Sequence, residues 1–218
     1  MTEPDVTLTD VGLAIECGIF ALLIARRWPP ATPLSLWFAV FFASIGVAAL
    51  AGAAVHGRFL PDSTSTLWLV PLVALGVTAL AAWCITAALL GEGTTARWLA
   101  QLAAVEFFVY CGVVLFVTRS FTIAIVNYVP ALTVLFIVFV RESRRHRAAG
   151  PRWGATALAL MFVGSVVQFR RVAVHPVYFN HNALYHTIEA IALLFMFGAA
   201  RWAIATSARP RGAHADTT

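Results

Sequence analysis

Long apolar runs separated by short polar breaks set the pattern of this chain. Seven of them approach the roughly 20 residues that a helix needs to cross a bilayer. They cover residues 8–25, 33–55, 67–90, 97–118, 120–140, 153–172 and 182–203. The runs are continuously apolar and do not alternate, which predicts helices and excludes a transmembrane barrel. Between the fourth and fifth, only Thr118, Arg119 and Ser120 interrupt the pattern, enough for a tight turn. The expected fold class is therefore all-α. It is a polytopic membrane protein built as a single seven-transmembrane-helix domain over residues 1–218, with residues 204–218 a disordered tail.

Composition agrees with that pattern. The chain is 61% hydrophobic and 11% charged, whereas a soluble domain is about a quarter charged. Its start, "MTEPDVTLTD", is acidic, the opposite of the basic opening of a signal peptide. Cys17, Cys84 and Cys111 all fall inside apolar runs, so buried thiols are expected and not a disulfide framework. The net charge of +5 comes from fifteen arginines and no lysine. Without a lysine no retinal Schiff base can form, so this is not a rhodopsin. Nor does the charge point to nucleic acid, because it is segregated by loop. Arg26, Arg27, Arg97, Arg141, Arg144, Arg145, Arg147, Arg152, Arg201, Arg209 and Arg211 lie on one side of the predicted bundle, and Arg58, Arg119, Arg170 and Arg171 on the other. The positive-inside bias then puts the N-terminus outside and the C-terminus in the cytoplasm. An alanine-rich chain with arginine as its only strong base suits a high-GC bacterium, so the expected location is a bacterial inner membrane.

With this topology the polar residues collect at the outer helix ends. The seventh helix opens on "HPVYFNHNALYH", residues 175–186. At 100° per residue, Asn182, His186 and Glu189 fall within about 60° of one another, with Tyr185 on the flank. His181 can join them only from a turn before the helix, where Asn180 or His181 would cap it. His56 ends the second helix on a face with Ala49, Gly52 and Ala53, small residues that admit a close neighbour. Asp10 stands at the start of the first helix and Asp62 at the start of the third. Asn127, Tyr128 and Pro130 read as a helix start. Glu16, Glu106 and Glu189 lie within spans, where an ionisable group faces the bundle or a watery cavity.

A seven-helix protein with a histidine ending helix two and a histidine motif opening helix seven resembles the CREST superfamily. That group includes the alkaline ceramidases and the progestin and adipoQ receptors. Its pattern is Ser-x-x-x-His on helix two, an aspartate soon after, and His-x-x-x-His on helix seven. Here His56 matches the first histidine and His186 the last; Gly52 stands in the serine's place, Asn182 in the remaining histidine's, and His181 just before it. More closely, "YFNHNALYH", "VHG" and "NYVPA" look like a bacterial branch related to this superfamily. The resemblance implies zinc held by His56, His186 and either His181 or Asp10. Asn182 would then meet the water or the substrate carbonyl, Glu189 or Asp10 would take up a proton, and Tyr185 would donate to the oxyanion. The expected function is a zinc-dependent hydrolase of a membrane lipid amide or ester. The alternative is a transporter or sensor using the polar pocket and the intramembrane glutamates.

Overall fold

The computed structural model describes residues 3–27, 32–57, 66–91 and 93–207. Seven helices follow one another: α1 (Pro4–Arg27), α2 (Pro33–His56), α3 (Leu69–Leu90), α4 (Thr94–Phe116), α5 (Phe121–His146), α6 (Ala149–Arg170) and α7 (His181–Ser207). A 3₁₀ turn, Thr66–Trp68, leads into α3. All seven helices are long and apolar enough to cross a membrane. Among the described residues there is no strand, only an isolated bridge between His175 and Phe179 in the connection from α6 to α7.

Local chemistry explains the helix ends. Thr32 and Ser35 form a reciprocal capping box ahead of α2, with Pro33 in its first turn, so orphan amides at the helix start are satisfied. The Ser120 hydroxyl accepts from the Thr122 amide and opens α5, so the short polar break at 118–120 does separate two helices. Asn180 is the residue that caps α7; its Oδ1 accepts from the amides of Asn182 and Ala183 at 2.9 and 3.2 Å.

Several boundaries move. α1 starts at Pro4, so the polar residues of its first turn belong to the helix. α5 runs on through the arginine cluster to His146, and Pro130 lies inside it instead of at its start. In an intramembrane helix the carbonyl freed by proline can be satisfied by neighbouring groups, so the helix continues. α7 extends to Ser207, with Ile204 buried in the bundle; the rest of the expected tail, 208–218, and the expected Asp62 lie outside the described residues.

In space, α1, α2, α3, α5, α6 and α7 each pack on the next to close a ring, and α2 also meets α7. α4 lies outside it, packed along α3 and only glancing α5. The ring's interior is filled by Phe38, Phe41, Phe42, Leu135, Phe139, Leu158, Leu193 and Met196. Phe20 stacks flat on Phe197 with centroids 4.4 Å apart, joining α1 to α7. Packing of this kind must hold the bundle, since lipid offers no hydrophobic drive between helices. The cysteines are unpaired.

Candidate functional site

Towards the end of the ring formed by the starts of α1 and α7, the packing gives way to a cavity of about 270 Å³. Its apolar wall includes Phe41, Ile45, Leu75, Leu132 and Met161. Its polar wall carries Asp10, His56, Gln168, Asn182 and His186, together with Tyr128, Tyr185 and Glu189. Six of the seven residues expected at a site therefore face one space. His181, the seventh, opens α7 but is not among the lining residues.

The pair at its centre joins α1 to α7. Asp10 is 3% exposed, and its Oδ1 stands 3.4 Å from His186 Nε2. On the other side of the ring, His186 Nδ1 is 3.2 Å from the Thr9 hydroxyl. Consecutive residues of α1 thus bracket one imidazole. Glu189 lines the cavity one turn further along α7, and Thr9 and Asp10 are the groups that hold the ring. Gly52 of α2 backs the Asp10 carboxylate: an ideal Cβ there would lie 3.0 Å from Oδ2. A glycine at this position lets the carboxylate sit against the α2 backbone.

At the end of α2, His56 Nδ1 is paired with Glu3 Oε2 at 2.6 Å. A carboxylate partner draws the N–H to Nδ1 and sets the tautomer with its lone pair on Nε2. The Gln168 amide donates to Asn182 Oδ1 at 2.8 Å, tying α6 to α7. Asp5 Oδ2 accepts from the Asn180 amide at 2.9 Å and anchors the start of α1 to the α6–α7 connection. Tyr185 packs its ring edge against Gly164. Glu106 accepts from the Trp83 indole at 2.9 Å, away from the cavity.

Two residues lining this space each keep a buried acceptor without a hydrogen-bond partner, Asp10 Oδ2 and Gln168 Oε1. Buried polar groups are nearly always satisfied, so both suit a ligand that brings donors or positive charge. The 3.4 Å separation of Asp10 from His186 exceeds the usual 2.9–3.0 Å hydrogen bond. It matches the edge between nitrogen and oxygen ligands of a tetrahedral zinc, about 3.3–3.5 Å for bonds of 2.0–2.2 Å. This pair therefore fits two vertices of such a site. Among the described residues no three ligating side chains stand close enough to hold an ion, so His56 does not complete the set in this arrangement.

A family profile matches residues 6–204, nearly the whole chain. The protein belongs to DUF6962, a family of unknown function. No curated protein and no solved structure matches the chain.

Four residues at the site were missed in the sequence: Glu3, Asp5, Thr9 and Gln168. In the sequence, Glu3 and Asp5 show only as an acidic N-terminal composition. Gln168 carried a signal that was available, a lone amide inside the sixth apolar run, two residues before Arg170 and Arg171.

Proposed function

We propose that this protein is a membrane-embedded hydrolase of a lipid amide or ester, dependent on zinc, in a bacterial inner membrane. Its site lies at the outer ends of α1, α2 and α7. One observation carries the reading: a buried Asp10–His186 pair at ligand-edge spacing lies at the polar side of a cavity that is otherwise apolar. An amphipathic lipid matches that division, with its chain along Phe41, Ile45 and Leu132 and its polar end among Asp10, Asn182 and His186.

Asp10 and His186 would supply two ligands of a zinc ion, and His56 would have to close on it as the third. The Thr9 and Glu3 contacts set the two imidazoles in orientation and tautomer, as outer partners of metal-bound histidines do. A zinc ion in such a site supplies a water with its pKa lowered to about 7 and polarises a carbonyl. Asn182 already gives its carbonyl oxygen to Gln168, so its NH2 group is the part that meets a substrate oxygen. Tyr185 presents a hydroxyl as donor for charge developing on that oxygen. Glu189, 9% exposed and one turn further along α7, is the carboxylate for proton uptake. The apolar wall lowers the local dielectric and strengthens each of these contacts.

The test is purification of the full chain in mild detergent, reconstitution into vesicles, metal analysis, and assay of fatty-acid release from N-acyl and O-acyl lipids. Zinc near one equivalent and hydrolysis, both lost in His186→Ala and Asp10→Asn, are expected. A folded wild-type protein without zinc and without turnover refutes the reading. If solute or proton flux appears instead and is stopped by Glu106→Gln, the transporter reading replaces it.

A further inference from the structure

At the opposite end of the bundle from the candidate site, α4 splays away from the ring. Because it packs along α3 and barely touches α5, a groove of about 600 Å³ opens between the start of α2, the end of α3 and the start of α4. Trp37, Cys84, Ala87, Ala88 and Ala100 form its apolar wall. Gly91, with a φ of 83° that other residues rarely adopt, ends α3 at the groove's mouth. Arg97 is exposed and is the one charged side chain among the described residues lining it.

We propose that this groove binds an anionic phospholipid, with one acyl chain lying against Trp37, Ala87 and Ala88 and the phosphate on Arg97. Three observations lead to that occupant. First, a wedge between spans must be filled by something apolar, and its walls offer an acyl chain no hydrogen-bonding competitor. Second, the charged side chain described at the rim is a guanidinium, whose planar fork suits a phosphate, and the Trp37 indole, of a kind that settles among headgroups, lines the same groove. Third, Arg97 shares this end of the bundle with Arg26, Arg141, Arg144 and Arg152. Arginines collect on the cytoplasmic side, the leaflet that carries anionic lipid. A second copy of the chain is a poorer occupant, because a twofold contact through this groove would bring two Arg97 side chains to one rim.

The readout is lipid retention by the delipidated full-length protein, followed by native mass spectrometry with phosphatidylglycerol or phosphatidylcholine of identical chains. It involves neither the cavity at the other end nor any hydrolysis, so its failure and that of the hydrolase reading are separate. Wild type should hold phosphatidylglycerol roughly fivefold more tightly than phosphatidylcholine: both carry the phosphate, but choline's ammonium cancels its charge, and a basic side chain near net anionic lipid is worth about 1 kcal/mol. Arg97→Gln should reduce the first to the level of the second, and Ala100→Phe, which fills the groove from the exposed helix, should displace both. Equal retention of the two lipids by wild type overturns the proposal. So does undiminished phosphatidylglycerol binding in Arg97→Gln, or a lipid-free dimer that Ala100→Phe dissociates. If Ala100→Phe fails to fold, the Arg97→Gln comparison still decides.

Discussion

Gly52 tests the geometry of the candidate site without touching a polar group. A Cβ at this position would meet Asp10 Oδ2 at 3.0 Å, Oδ1 at 3.3 Å and Cγ at 3.4 Å. In Gly52→Ala the carboxylate must retreat by a few tenths of an ångström, since the α2 backbone cannot. Two opposing effects act on stability. Alanine in place of a helical glycine contributes about 1 kcal/mol, while overpacking a closed contact costs about 1–3 kcal/mol. The net change should stay within about 2 kcal/mol, and the variant should fold. Activity responds differently, because a 1 Å misplacement at a reacting centre can cost about a hundredfold. A shift of a few tenths in Asp10, which faces His186 at 3.4 Å, should therefore lower hydrolysis by roughly three- to tenfold. Gly52→Ser should recover stability relative to alanine by about 1 kcal/mol, since its hydroxyl can donate to the unpartnered Oδ2. Gly52→Leu should abolish activity. Thermal unfolding and lipid hydrolysis of the series, measured in vesicles, check this ordering. If Gly52→Leu folds and hydrolyses lipid like wild type, Asp10 does not stand against α2 and the site as described is wrong.

Zinc at a hundred times its dissociation constant should stabilise the chelator-treated protein by about 2.7 kcal/mol. Asp10→Asn should lose the response and Glu3→Gln should weaken zinc binding about 10- to 100-fold; an unshifted wild-type melt would refute metal binding. Asn180→Ala should cost about 1 kcal/mol by removing the cap of α7, and Asn180→Asp should not, as unfolding midpoints will show. Glu106→Gln should leave hydrolysis unchanged, because Glu106 is engaged with Trp83 and does not line the cavity.

Apolar run length reported the spans well, because burial in lipid constrains every residue along them. The same criterion blurred their ends. α1 was expected from residue 8 but begins at Pro4, and the omitted turn leads into the segment where Asp5 and Thr9 reach α7. A hydropathy window cannot separate a polar residue that faces water from one that faces a cavity. Helical spacing brought Asn182, His186 and Glu189 to one face, since i, i+4 and i+7 geometry is local. The partners of those side chains depend on which helices adjoin, and no local rule supplied that Thr9 would meet His186 or that Gln168 would meet Asn182.

Burial adds a periodicity that spans both helices. On α1 the buried positions Val6, Asp10, Leu13, Cys17, Phe20 and Ile24 advance by alternating steps of four and three, the spacing of a packed seam. On α7 the same steps connect Asn182, His186, Glu189, Leu193, Met196, Ala200 and Ala203. These helices pack together, and each seam is polar only towards its first turns. A bundle that needed only stability would continue the apolar seam, because ionisable groups at this depth are expensive. Replacing a buried polar pair by hydrophobic residues of similar size is often neutral or stabilising. The double variant Asp10→Leu, His186→Leu should therefore insert, fold and melt at or above the wild-type temperature while losing all hydrolysis. Reduced thermal stability in that variant would make the polar seam ends a structural requirement and remove the physical reason for assigning them chemistry.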